Sequence, residues 1–118
     1  MIQIVERELK IKGATEKDVL FFADMHLTLC DEREDDYVQG LARERLEGFP
    51  HAYSGAEELK RYIDETKPDA VVGCGDIIDM PSRANLEYLS DFFNNHCKEY
   101  LYVLGNHDWN YPRSYNNV

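Results

Sequence analysis

The chain has 118 residues, 23 of them acidic against 13 basic, for a formal net charge of −10, and 43% of it is hydrophobic. That length allows one domain with a modest core, the apolar share is too high for a disordered chain, and no apolar run approaches the roughly 18 residues of a membrane span. So acidic a chain would repel a polyanion unless bound cations reversed the local field, which argues against a basic phosphate-gripping surface.

In chain order, Ile2, Ile4, Leu9 and Ile11 alternate with polar and charged residues and hint at period-two strands. The same stretch has no apolar h-region, so it is not read as a signal peptide, and a cytoplasmic location is the expectation. Val19 to Ala23, VLFFA, reads as a buried strand that stops at Asp24. Residues 30–53 carry the acidic cluster DEREDD and then a weak helical period through Leu41 and Leu46, which predicts a loop followed by a helix. A solvated loop is favoured over a substrate-side lid for this segment.

Ser54-Gly55-Ala56-Glu57 has the form of a capping box, with Leu59, Tyr62 and Ile63 as the apolar stripe of a helix running to about Thr66, before Pro68. Ala70 to Cys74, AVVGC, is a second buried strand, with Cys74 as a small buried hydrophobe. A helix from about Ser82 to His96 turns Leu86, Leu89, Phe92 and Phe93 inward. Tyr100 to Leu104, YLYVL, is the third strand. Apolar strands linked by helical crossovers predict a mainly parallel α/β sheet with flanking helices. The three cysteines are odd in number and form no C-x-x-C pair, so free thiols are expected.

In an open α/β sheet, ligands bind beyond the carboxyl ends of the strands. The three strands end in Asp24-Met25-His26, in Gly75-Asp76-Ile77-Ile78-Asp79 and in Gly105-Asn106-His107-Asp108. Carboxylates, imidazoles and an amide gathered at one sheet edge suit Mn, Fe or Zn. Acids crowded there repel one another unless a cation lies between them. Alternate residues of a strand point the same way, so Asp24 and His26 are expected to chelate one ion from a single segment. Gly75 and Gly105 precede ligands where the chain has to turn sharply.

These three segments, in this order and each at a strand end, resemble the first three motifs of the calcineurin-like metallophosphoesterase superfamily: D-x-H, G-D-x-x-D and G-N-H-D or G-N-H-E. The resemblance spans roughly residues 18 to 110. It implies the first half of a four-layer αββα sandwich and metal-dependent hydrolysis of a phosphorylated substrate, with nucleic acid entering only as a substrate; the lack of a membrane-length apolar run gives the expectation of no membrane partner. By the resemblance, Asp24 and His26 hold a first divalent ion, Asp76 bridges to a second, and Asn106 binds that second ion, for up to two ions in all. His107 contacts phosphate and protonates the leaving oxygen, Asp108 orients His107, and Asp79 stands behind the ligands. The family's later histidine motifs have no counterpart here, and His51 and His96 match none of them. Residues 1–118 are therefore expected to form a single, incomplete domain, completed by oligomerisation or by a missing C-terminal half, with an apolar sheet face left uncovered. Trp109, Tyr111 and Tyr115 read as packing residues, the alternative being an aromatic shelf for a nucleobase or sugar.

Overall fold

The computed structural model describes residues 2–110. Three parallel strands, β1 (Val19–Phe22), β2 (Ala70–Gly73) and β3 (Tyr100–Tyr102), lie side by side in chain order. The register pairs Leu20 with Val71 and Phe22 with Gly73, then Val71 with Tyr100 and Gly73 with Tyr102. Three longer helices, α1 (Asp36–Gly48), α2 (Ala52–Thr66) and α3 (Arg83–His96), fill the crossovers, and a single turn, α4 (Asn106–Trp109), follows β3. The α/β class and the parallel sheet are as expected.

The period of two decides where the core sits. Leu20, Phe22, Val71 and Tyr102 face one side and pack with Leu59 and Ile63 of α2 and Phe92 and Phe93 of α3. The intervening residues face the other side, where among the described residues no helix covers the sheet: Phe21 is 65% exposed, Leu101 68% and Val103 61%. Cys74 is exposed as well, which corrects its reading as a buried hydrophobe. An open apolar face is as expected, but an apolar run alone does not report which of its residues lie on that face.

Several local expectations change. No strand forms over residues 2–12, which lie largely exposed without a ladder partner; a pattern of two needs a neighbouring strand before it becomes structure. The capping box does not form. Helix α2 begins earlier, after His51, and the Ser54 hydroxyl donates instead to the His51 carbonyl at 3.0 Å, while Glu57 pairs with Lys60 at 2.7 Å. The end of α2 is as expected, closed by Lys67 in a left-handed conformation. Helix α3 starts after Ser82, whose side chain accepts from the Asn85 amide, and Leu86 is 48% exposed rather than turned inward. His96 closes α3 against Asp64 at 2.7 Å and Asp91 at 3.4 Å, a structural role.

One buried residue of α3 ties the strand-end loops to the core. Asn85 is fully buried; its amide oxygen accepts from the Leu29 amide at 2.8 Å, and its nitrogen donates to the Leu27 carbonyl at 3.0 Å and the Met80 carbonyl at 2.9 Å. Removing it strands three backbone groups in the interior, each worth roughly 1–3 kcal/mol when unpaired. Asn85→Leu is therefore expected to lower stability by about 3 kcal/mol or more. The readout is the urea midpoint at unchanged slope. Leu86→Ala, one residue along on the exposed side, is expected to stay within about 0.5 kcal/mol of the parent.

Candidate metal centre

Beyond the sheet, the first two loops continue to zip together. Asp24 donates its amide to the Gly75 carbonyl, His26 to Asp76 and Leu27 to Ile77, and Asp79 donates back to Leu27, all at 2.9–3.0 Å. To keep this pairing while turning, Asp24, His26 and Asp76 adopt left-handed φ values of 53°, 51° and 52°, and Gly75 takes 99°. Non-glycine residues visit that region at a cost of roughly 1 kcal/mol or more each, and such strain collects at functional sites. The convergence of Asp24 and His26 thus comes from two left-handed turns, not from the alternation of a strand, which corrects the geometric reason given by sequence.

The third loop is clamped by Asp108. Its buried carboxylate accepts the amides of Asp76 at 2.6 Å, Ile77 at 2.9 Å, Ile78 at 3.1 Å and Gly105 at 2.7 Å, and the Tyr102 hydroxyl at 2.5 Å. Burial first, then the Asp108 carboxylate, pushes the Tyr102 phenol well above its usual range. Asp108 was expected to orient His107; it holds the Gly75–Ile78 loop instead. Its string of amide donors answers its charge.

The carboxylate that stands against His107 belongs to Asp79. The Asp79 side chain is fully buried. The His107 Nδ1 lies 3.0 Å from its carbonyl and 3.1 Å from its Oδ1, and the His26 Nδ1 lies 3.0 Å from the same Oδ1. Arg45 of α1 closes the group, donating from Nε to Oδ2 and from its terminal nitrogen to Oδ1 at 2.7 Å. Burial pushes the Asp79 carboxyl up, but Arg45 and then His26 outweigh it, and the group titrates below its ordinary value.

Among the described residues, two sets of donors lie within 4.8 Å of one another: Asp24, His26 and Asp76, and His26, Asp79 and His107. The second set is occupied by its own bonds. Both imidazoles point Nδ1 at Asp79, and a guanidinium already neutralises that carboxylate, so a cation there would meet a positive charge. The first set is open. With Nδ1 engaged by Asp79, His26 presents Nε2 on the Asp24 side, 3.9 Å from Oδ1 of that residue. Ligand distances of roughly 2.0–2.2 Å around one ion match such separations, and a carboxylate behind the imidazole is the usual support of a metal-bound histidine. The residues therefore fit a divalent cation at Asp24, His26 and Asp76. Oxygen and nitrogen donors without thiolate leave Mn, Fe and Zn in contention.

Asp76 also accepts the His107 amide at 3.0 Å through Oδ1. Asn106, the expected ligand of a second ion, opens α4 and is exposed. Trp109 is 58% exposed and so does not pack as expected, while Tyr111 and Tyr115 lie outside the described residues. Gly105 is required for a reason other than backbone freedom, since its φ is −88°. A Cβ there would lie 2.2 Å from Asp76 Oδ1 and 2.7 Å from the Asp76 backbone nitrogen.

Sequence reasoning missed Arg45 and its neighbour Phe49. Phe49 stacks on the His26 ring at 4.9 Å and 11°, and the Arg45 guanidinium lies 5.6 Å from the Phe49 ring centre. Both lie in the segment whose expected form is a loop followed by a helix. The period through Leu41 and Leu46 indicated its helix, but no motif marks an arginine that acts from a distance in sequence.

The model of the calcineurin-like phosphoesterase family matches residues 17–118, and the chain belongs to that family. No curated protein and no solved structure matches it. Membership supports metal-dependent phosphoester hydrolysis as the general chemistry and agrees with the parallel sheet described above.

The contact between Gly105 and Asp76 gives a direct test. Gly105→Ala has to displace the Asp76 carboxylate, so its affinity for Mn²⁺ in titration calorimetry is expected to fall at least about tenfold. Gly55→Ala, on α2 with nothing within 4 Å of the added carbon, should leave Mn²⁺ binding unchanged.

Proposed function

We propose that this chain is a metal-dependent hydrolase of phosphomonoesters or phosphodiesters that uses a dinuclear centre. The observation that carries the reading is the convergence of Asp24, His26 and Asp76 beside a histidine, His107, whose Nδ1 is already held. In this reading Asp24, His26 and Asp76 hold one divalent cation, and Asp76 together with Asn106 contributes to a second. The cations supply charge neutralisation at a phosphoryl group and a nucleophile at neutral pH. The polypeptide does the rest. Asp79 accepts from Nδ1–H and fixes His107, so that in its imidazolium form the proton on Nε2 is the one delivered to the leaving oxygen, and the neutral imidazole is left behind. Asp108 holds the loop that carries Asp76. The acidic surface is then compatible with an anionic substrate, because the field at the site is set locally by cations.

Hydrolysis of bis-p-nitrophenyl phosphate and of p-nitrophenyl phosphate with added Mn²⁺ tests this. Turnover is expected to depend on Mn²⁺ and to fall by at least about 10²-fold in Asp76→Asn and in His107→Ala. Turnover that is indifferent to Mn²⁺ or to Asp76→Asn would defeat the reading.

A second reading, a partner-binding module, has one observation in its favour: the uncovered sheet face with Phe21, Leu101 and Val103. Exposed apolar side chains gathered on one face are a feature of interaction surfaces. A second copy of the chain is the occupant this reading commits to. Light scattering is then expected to show a dimer that Leu101→Glu converts to a monomer. A parent chain that is monomeric at every concentration would remove the reading.

A further inference from the structure

We propose that Arg45 and Phe49, at the end of α1, are positioning residues that set the tautomer and the plane of His26 and so prepare its Nε2 for a cation. This rests on the metal-binding part of the function proposed above. Three observations carry it. The first is the paired contact of the Arg45 guanidinium with both oxygens of the buried Asp79 carboxylate. A planar guanidinium that meets a carboxylate at two points fixes the carboxylate's rotation as well as its charge. Asp79 is thereby an ionised acceptor, and the His26 nitrogen 3.0 Å away has to be the one that carries hydrogen. The lone pair then lies on Nε2, the atom on the Asp24 side.

The second observation is the stack. Phe49 lies nearly parallel on the His26 imidazole, with ring centres 4.9 Å apart and planes 11° apart. It covers one face of that ring and removes its freedom to rotate about the Asp79 hydrogen bond. The third is that α1 is anchored rather than loose. Val38 and Ala42 are buried against Met80, the residue after Asp79, and the Asp35 carboxylate caps the helix through the Val38 amide at 2.8 Å. A helix seated on Met80 at one level and joined to Asp79 at the next transmits a fixed geometry to the histidine. The segment between the first two motifs therefore belongs to the site's supporting structure.

The test uses the whole chain and reads the imidazole itself. Long-range ¹H–¹⁵N spectra of the metal-free protein are expected to show His26 as the Nδ1–H tautomer, and Mn²⁺ titration calorimetry supplies the affinity. Arg45→Gln should give mixed His26 tautomers and raise the Mn²⁺ dissociation constant by about 10- to 100-fold. Arg45→Lys, which keeps the charge and loses the two-point contact, should lie between the two. Phe49→Ala should weaken Mn²⁺ binding while leaving the tautomer in place, and Phe49→Tyr should restore it. If Arg45→Gln does not fold, Arg45→Lys and the Phe49 pair decide the matter. Unchanged His26 shifts together with an affinity within twofold of the parent, in the folded Arg45 variant and in Phe49→Ala, would overturn the inference. A parent chain that binds no Mn²⁺ would instead strike the proposed function, while the metal-free spectra would still report whether Arg45 sets the tautomer.

Discussion

A single carboxylate, that of Asp79, receives a guanidinium and two imidazoles in a place that water does not reach. A buried anion is tolerable only when its lone pairs are met, and here they are met by groups from three separate segments of chain. The same contacts that satisfy Asp79 dictate which nitrogen of His26 and which nitrogen of His107 are left over for chemistry. The interaction is therefore both a condition of folding and the device that gives the site its orientation. Loss of the guanidinium would leave a charge without compensation next to two histidines, so the helix that carries Arg45 cannot be regarded as decoration on the sheet.

The second constraint is the crowding of backbone at the strand ends. The loops after β1 and β2 pair with each other past the last strand residue, and the loop after β3 is pinned to them by the Asp108 carboxylate. Pairing and turning at once is possible only with left-handed conformations at Asp24, His26 and Asp76. This is unfavourable locally and is held in place by Asn85, which bonds the Leu27 carbonyl, and by Asp108, which accepts the Asp76 amide. Strain at residues that also carry the donors is what a preorganised site looks like, because the donors cannot relax away from one another before a ligand arrives.

Much of this was readable beforehand. The three strands, the parallel order and the placement of Asp24, His26, Asp76 and Asn106 at one edge followed from apolar runs that stop at polar triplets and from helical crossovers between them. What could not be read was of three physical kinds. Period-two alternation in residues 2–12 found no neighbour to pair with. An open sheet face was expected, but which residues lie on it was not: Cys74 and Leu101 are in the open, although their runs resemble buried strands. Contacts that span long stretches of sequence, such as Asn85 to Leu27 and Arg45 to Asp79, obey no spacing rule at all. The assignment of Asp108 failed for a related reason. Adjacency to His107 suggested a partner, whereas a residue in a single helical turn faces away from its neighbour and meets the amides behind it.

The order of the strands has a further consequence. Each strand lies beside the one that precedes it in the chain, so the sheet can be laid down progressively from its amino-terminal edge, although each pairing is long-range, Val19 meeting Ala70 and Val71 meeting Tyr100. The cluster at its end cannot: Asp24 and Asp76 come with the first two strands, but the clamp of Asp108 and the imidazole of His107 arrive only with the third. The cluster is thus complete only once the third strand and the turn after it have docked. Because the His107 amide of the third loop holds the Asp76 carboxylate, a cation bound by Asp24, His26 and Asp76 would act as a latch on that docking, adding up to RT ln(1 + [L]/Kd) to the stability of the completed state over one without the third strand.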